Sequence, residues 1–280
     1  AGRIIDDDEI KTEMMQRHPY REWLNENLVH LNDLPVVDST AVPTGHEEGE
    51  VVSLQRTFGY TNEDLKILMM PMARDGIEAT GSMGTDTPLA ALSDRPQLLY
   101  GYFKQLFAQV TNPPIDPLRE SIVMSLEVDL GPERNVFVES AEHAERISLT
   151  SPVLSQAKFQ TIVELSEAGL RSTVIDATYD PGKANLRETV EALCSSAEAA
   201  IREGFQVLVL SDRQIAETRV PIHSLLVTGA VHHHLIRVGL RSECNLVIES
   251  GSARDSHHVA CLLGFGATAI YPYVAYSVIE

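Results

Sequence analysis

The sequence predicts an α/β fold, a parallel sheet with crossover helices, preceded by a helical and loop-rich N-terminal part. Three observations support this. In the second half, four strand-like segments alternate with three helical stripes, and such alternation implies right-handed crossovers between parallel strands. Some of those strands carry continuous apolar runs, such as Val207 to Leu210, as strands covered on both faces do. The first half carries capped helical patterns separated by glycine- and proline-rich stretches.

Taken in order, the segment from Asp6 to Arg17 reads as a polar, weakly amphipathic helix. Pro19 suits the first turn of a second helix through Trp23 and Leu28. The stretch from Leu34 to Gly49 has no helical period and reads as a linker or extended segment. Thr61 caps the next helix, with Asp64 completing an imperfect capping box. A loop rich in Gly, Ser and Thr follows, from Asp75 to Asp94. From Arg95 to Val110 the spacing predicts a helix with Phe103, Leu106, Phe107 and Val110 on one face. Thr111-Asn112-Pro113-Pro114 breaks it. Asp116 and Pro117 then cap and open a helix that ends near Leu126.

The second half begins with a strand from Ser172 to Ala177. Val190, Leu193, Cys194, Ala197, Ala200 and Ile201 form a helical stripe closed by Gly204. A strand from Phe205 to Leu210 leads to a helix from Leu225 to Val238, closed by Gly239. A strand from Asn245 to Ile248 leads to a helix from Ser256 to Leu263, closed by Gly264. Thr268 to Tyr271 is the fourth strand. Periodicity leaves an open doubly wound sheet and part of a (β/α) barrel equally open.

Composition bounds the function. Apolar residues make up 44% and charged residues 22% of the 280, as in a soluble globular protein whose core needs no disulfide or metal. Forty acidic against 22 basic side chains give a formal charge of -18, a field that repels nucleic acid. No apolar run is long enough to span a bilayer, so a membrane is not an expected partner. The acidic N-terminus is unlike a signal peptide. Cys194, Cys244 and Cys261 are odd in number and widely spaced, which suits a reducing, cytoplasmic compartment.

The motifs carry little chemistry on their own. His232-His233-His234 and His257-His258 suggest a metal. However, adjacent helical residues point about 100° apart, so three in a row do not converge on one ion. Gly264-Phe265-Gly266 stands between helix and strand, the reverse of a phosphate-binding fingerprint. Asp212-Arg213 and Glu249-Ser250-Gly251 end two strands, where parallel α/β folds carry ligand sites; the alternative is that they cap the following helices. The loop from Gly81 to Pro88 is long and glycine-rich, either a surface turn or a functional loop.

Several stretches resemble the large subunit of the glutamate synthase family. They include Gly2-Arg3-Ile4-Ile5, His18-Pro19-Tyr20-Arg21-Glu22-Trp23 and Met70-Pro71-Met72-Ala73. The residues from Gly76 to Gly84 and from Gln109 to Pro117 also match. So do Leu210-Ser211-Asp212-Arg213, Gly229 to Leu235, and His257 to Tyr273. The resemblance runs from end to end and covers the central part of that subunit alone.

It implies residues 1–45 as a linker with short helices leaving an amidotransferase domain, and residues 46–280 as a central α/β domain. That domain would resemble an incomplete (β/α) barrel related to the FMN-linked oxidoreductase barrel. The parent enzyme would make glutamate from glutamine and 2-oxoglutarate, passing ammonia through an internal tunnel to a flavin. FMN and an iron–sulfur cluster would belong to other domains, with no cofactor and no catalytic residue here. Partners would be the amidotransferase and FMN domains of the same chain. Electrons would come from ferredoxin or an NADPH-dependent small subunit. Ser82, Thr85, Asp86, Asn112, Arg119 and Glu120 are the candidate tunnel or interdomain contacts. Two other readings stand beside this one. One is a flavin- or phosphate-binding enzyme of barrel type, motivated by the strand ends. The other is an interaction module, motivated by the negative charge.

Overall fold

The computed structural model describes residues 2–35, 48–80, 92–94, 96–103, 116–165 and 170–280. Helices α1 (Asp7–Met15) and α2 (Tyr20–Asn27) form where the sequence predicts them. The Asp6 side chain accepts from the Asp8 N–H, and Pro19 is the residue that enters α2. A two-residue strand β1 (Val29–His30) follows. Most of the stretch read as a linker lies outside the described residues; its end does not, because α3 (Glu48–Thr57) begins before Gly49. Thr61 and Asp64 form a full reciprocal box. The Thr61 N–H donates to Asp64 Oδ2 at 2.8 Å and the Asp64 N–H to Thr61 Oγ1 at 3.1 Å. The chain then widens into i→i+5 hydrogen bonding over Asp64–Met69 and tightens again as α4 (Met70–Asp75).

One expectation is corrected here. The helix expected from Arg95 to Val110 is not continuous. Its described part is a 3-10 turn, Leu99–Tyr102, and Phe103 is already extended. Tyr100 is fully buried there and bonds to Ser252, so a tertiary contact overrides the helical spacing. The rest of that segment and the turn at 111–114 lie outside the described residues. Helix α5 (Pro117–Val123) follows, with Asp116 Oδ1 accepting from the N–H groups of Leu118 and Arg119.

Strands β2 (Val128–Leu130) and β3 (Ile147–Leu149) are antiparallel, and β1 lies parallel to β3. Helix α6 (Gln156–Val163) leads to the main sheet. Then come β4 (Ser172–Asp176), β5 (Thr178–Tyr179), α7 (Leu186–Arg202), β6 (Val207–Ser211) and β7 (Val220–Pro221). The chain ends with α8 (Ser224–Arg237), β8 (Asn245–Glu249), α9 (Ser256–Gly264), β9 (Ala269–Tyr271) and α10 (Tyr273–Ile279). The main sheet has the order β4-β6-β8-β9 and is parallel throughout.

Side-chain alternation sorts this sheet into two cores. Leu208, Leu210, Leu246, Ile248 and Ile270 face α7, α8 and α9 through Ala197, Val231 and Leu262. Val207, Val209, Val247, Ala269 and Tyr271 face the other way, onto Phe58, Phe159, Ile162 and Val274. Both faces are therefore covered, which is why β6 reads as an unbroken apolar run.

Glycines with positive φ close two of the crossover helices as expected, Gly204 at +89° and Gly239 at +71°. The third is corrected: Gly264 is the last residue of α9, and the left-handed position is Gly266 at +108°. A Cβ on Gly266 would collide with the His232 ring.

Candidate functional site

The carboxyl ends of β6 and β8 deliver Asp212 and Glu249 into a polar cluster between the starts of α8 and α9. Asp212 is 2% exposed. Its carboxylate accepts the Gly251 N–H at 2.9 and 3.1 Å and the Ser224 hydroxyl at 3.1 Å. Burial pushes the Asp212 carboxyl up to about 7, against the pull of those bonds. The Ser224 and Ser250 hydroxyls meet at 2.7 Å, Ser250 and Ser252 at 3.1 Å, and Ser252 and Tyr100 at 3.2 Å. Beside this chain of hydroxyls, Glu249 accepts from Ser211 Oγ at 2.6 Å and from Arg213 Nε at 2.5 Å. The Arg213 guanidinium covers the Tyr273 ring at 4.2 Å.

Asp212, Arg213, Glu249, Ser250 and Gly251 are thus brought together, as the strand-end position suggested. The capping alternative does not hold for the two carboxylates. The residue capping α8 is His223 and the one capping α9 is Asp255. Burial pushes the phenols of Tyr60, Tyr100 and Tyr273 upward, keeping them neutral.

Next to the cluster lies a cavity of about 700 Å³, bordered by Asp64, Leu98, His223, Ser252, Arg254 and His258. Arg254 is 5% exposed and lies 4.1 Å over the Tyr60 ring. Tyr60 in turn donates to the Gly251 carbonyl at 3.1 Å. His258 stacks on Tyr100 with centroids 4.2 Å apart, and His223 packs on the same ring at 4.7 Å. Burial, aided by the Arg254 charge, lowers both imidazoles to about 4; Asp255 pulls His258 the other way.

The remaining histidines go elsewhere. His232 Nδ1 accepts from Arg241 Nε at 2.9 Å, His234 pairs with Glu198 at 2.8 Å, and His257 donates to the Tyr100 carbonyl at 3.0 Å. Among the described residues no group of three His, Cys, Asp or Glu could hold a metal ion. Cys194 and Cys244 are buried, and burial pushes both thiols up, Cys244 to about 11. No helix among the described residues is long and apolar enough to cross a membrane.

Ser82, Thr85, Asp86 and Asn112 lie outside the described residues. Arg119 and Glu120 occupy the first turn of α5 and are exposed. Near them stand Leu118 at 83% and Ile122 at 75% exposure. Sequence reasoning missed Tyr60, Tyr100, His223 and Arg254. Only Arg254 carried a signal, since it stands two residues after the Ser250-Gly251-Ser252 turn.

A family model, the glutamate synthase central domain, matches residues 53–280. The Glutamate synthase [NADH] of Schizosaccharomyces pombe is 42% identical over 286 residues, covering 98% of this chain and 14% of that protein. The Glutamate synthase [NADPH] large chain of Bacillus subtilis is 43% identical over 278 residues, covering 99% and 18%. The Ferredoxin-dependent glutamate synthase, chloroplastic, of Oryza sativa is 40% identical over 280 residues, covering 98% and 17%. The chain therefore spans less than a fifth of the length of these relatives.

Proposed function

The chain belongs to the glutamate synthase central domain family, and from that premise we propose that it is the non-catalytic connecting domain of such an enzyme. In this reading it joins a glutamine amidotransferase domain to an FMN synthase domain and helps form the ammonia tunnel between them. Residues 1–45 would lead out of the amidotransferase and residues 46–280 would form the central domain, in a cytoplasmic enzyme. The parent protein would assimilate ammonia by making glutamate from glutamine and 2-oxoglutarate.

The observation that carries this reading is the pattern of coverage. The likeness fills nearly the whole chain yet a small fraction of each relative. Relatives named for NADH, NADPH and ferredoxin match at 40–43% identity, so the domain is common to all three electron donors. Exposed Leu118, Ile122 and Phe137, the last at 93%, are the kind of apolar surface that a neighbouring domain covers. Ammonia is small and neutral, so hydroxyls and amides such as those of Ser82, Thr85 and Asn112 suffice to line its path. Asp86, Arg119 and Glu120 are proposed as interdomain contacts.

FMN and an iron–sulfur cluster would reside on the other domains. The residues of this chain do not fit a cluster: Cys194 sits in α7, Cys244 precedes β8 and Cys261 lies in α9, whereas a cluster takes converging thiolates. One observation favours a second reading, a flavin- or phosphate-binding enzyme of barrel type. The polar cluster lies at the carboxyl ends of parallel strands, where such folds bind ligands.

A visible absorption spectrum of the purified chain, taken after FMN addition and gel filtration, separates the two readings. The connecting role predicts that no flavin is retained. A flavin spectrum that survives filtration contradicts it.

A further inference from the structure

We propose that the cavity between the strand ends and the Thr61–Asp64 box binds a free α-amino acid, its carboxylate on Arg254 and His223 and its ammonium on Asp255. This is independent of the connecting role, since every group invoked belongs to the described residues of this chain.

The first observation is a buried cation short of acceptors. Neither Nε nor Nη1 of Arg254 has a hydrogen-bond partner. Its nearest counter-charge, Asp64 Oδ2, stands 3.5 Å from Nη1, beyond a good hydrogen bond. Leaving such donors empty is unfavourable, and a ligand carboxylate removes the penalty.

The second observation fixes a neighbouring donor. His223 Nδ1 accepts the Leu225 N–H at 3.2 Å. The proton of the neutral ring therefore sits on Nε2, which is buried and has no partner, and His223 is one of the residues bordering the cavity. Arg254 and His223 thus each hold a buried, unfilled donor, and both residues border one cavity.

The third observation gives the ligand its other end. Asp64 and Asp255 border the same cavity. Each has an oxygen engaged by a backbone N–H, from Thr61 at 2.8 Å and His258 at 2.8 Å respectively. A carboxylate has two oxygens, so each retains acceptor capacity. His258 Nδ1 lies 3.5 Å from Asp255 Oδ1. The other charged groups of the lining are Arg56 and Asp212, and Asp212 is turned into Gly251 and Ser224. A simple anion would meet two carboxylates here and a simple cation would meet a guanidinium. A dipolar ligand satisfies both. The volume, about 700 Å³, lies within the range of small-molecule sites.

The test is isothermal titration calorimetry on the purified chain with L-glutamine, L-leucine, succinate and butylamine. Saturable binding of at least one amino acid is expected, with succinate and butylamine weaker by about tenfold or more. Arg254→Met should abolish the binding. His223→Leu, which leaves the Arg254, Tyr60 and Asp64 contacts in place, should weaken it by about tenfold. Absence of saturable amino-acid binding overturns the proposal. So does succinate binding as tightly as the amino acids, or an isotherm unchanged in His223→Leu.

Discussion

Asp212→Ala is expected to lower the stability of the chain by about 3 kcal/mol, read from the midpoint of urea unfolding. The carboxylate it removes is fully buried and holds the Gly251 N–H and the Ser224 hydroxyl. Alanine leaves that N–H stranded, and a buried unsatisfied donor costs about 1–3 kcal/mol. Ser224 keeps Ser250 as a partner, so its loss is smaller. The turn after β8 also loses the bond that fixes it to the end of β6. Asp212→Asn keeps one carbonyl acceptor in the same place and is expected to lose about 1 kcal/mol. If the alanine variant unfolds at the same midpoint as the asparagine variant, the carboxylate does not organise the strand ends.

The second large effect concerns Gly251, whose backbone is not left-handed and which is glycine for want of space. A Cβ there would overlap Cε2 and Cζ of Phe58 and stand 2.7 Å from Cδ2. Phe58 is 4% exposed and meets Tyr273 edge-on at 6.2 Å, so its ring is held by packing on that side. Gly251→Ala should therefore destabilise by about 3 kcal/mol through overpacking. Phe58→Ala opens a cavity and should lose about 3–5 kcal/mol alone. Together the two substitutions should lose little more than Phe58→Ala, because the overlap is gone. Losses that add to within about 0.5 kcal/mol would show that the two residues do not press on each other.

The sheet and its crossover helices were legible because their signals are local. β6 and β8 are apolar runs, and the stripe of α7 ends at a glycine that the backbone uses. The first half was less so. Strands β1, β2 and β3 have two or three residues each, too few for alternation to show. Helices α6 and α10 have eight and seven residues and are held by packing on the sheet rather than by a strong intrinsic pattern. At Leu99–Tyr102 the helical spacing is real, yet burying Tyr100 against Ser252 wins.

The candidate site divides in the same way. Asp212 and Glu249 were legible as strand-end carboxylates, whereas their surroundings come from remote segments. Tyr60 is separated by 191 residues from the Gly251 carbonyl that it bonds, and Tyr100 by 152 from Ser252. His223 gave no sign that it would replace the usual small cap of a helix.

The measurement that tests the connecting role most directly is the ratio of glutamine hydrolysed to glutamate formed, in the full-length polypeptide that carries this chain. Thr85→Trp would place a bulky ring at the proposed lining of the ammonia path. On the proposed connecting role, the ratio is predicted to rise above that of the unsubstituted enzyme, because ammonia released by an amidotransferase domain would no longer reach a flavin site. A ratio that stays the same, with both partial activities intact, would contradict a place for this segment in the tunnel.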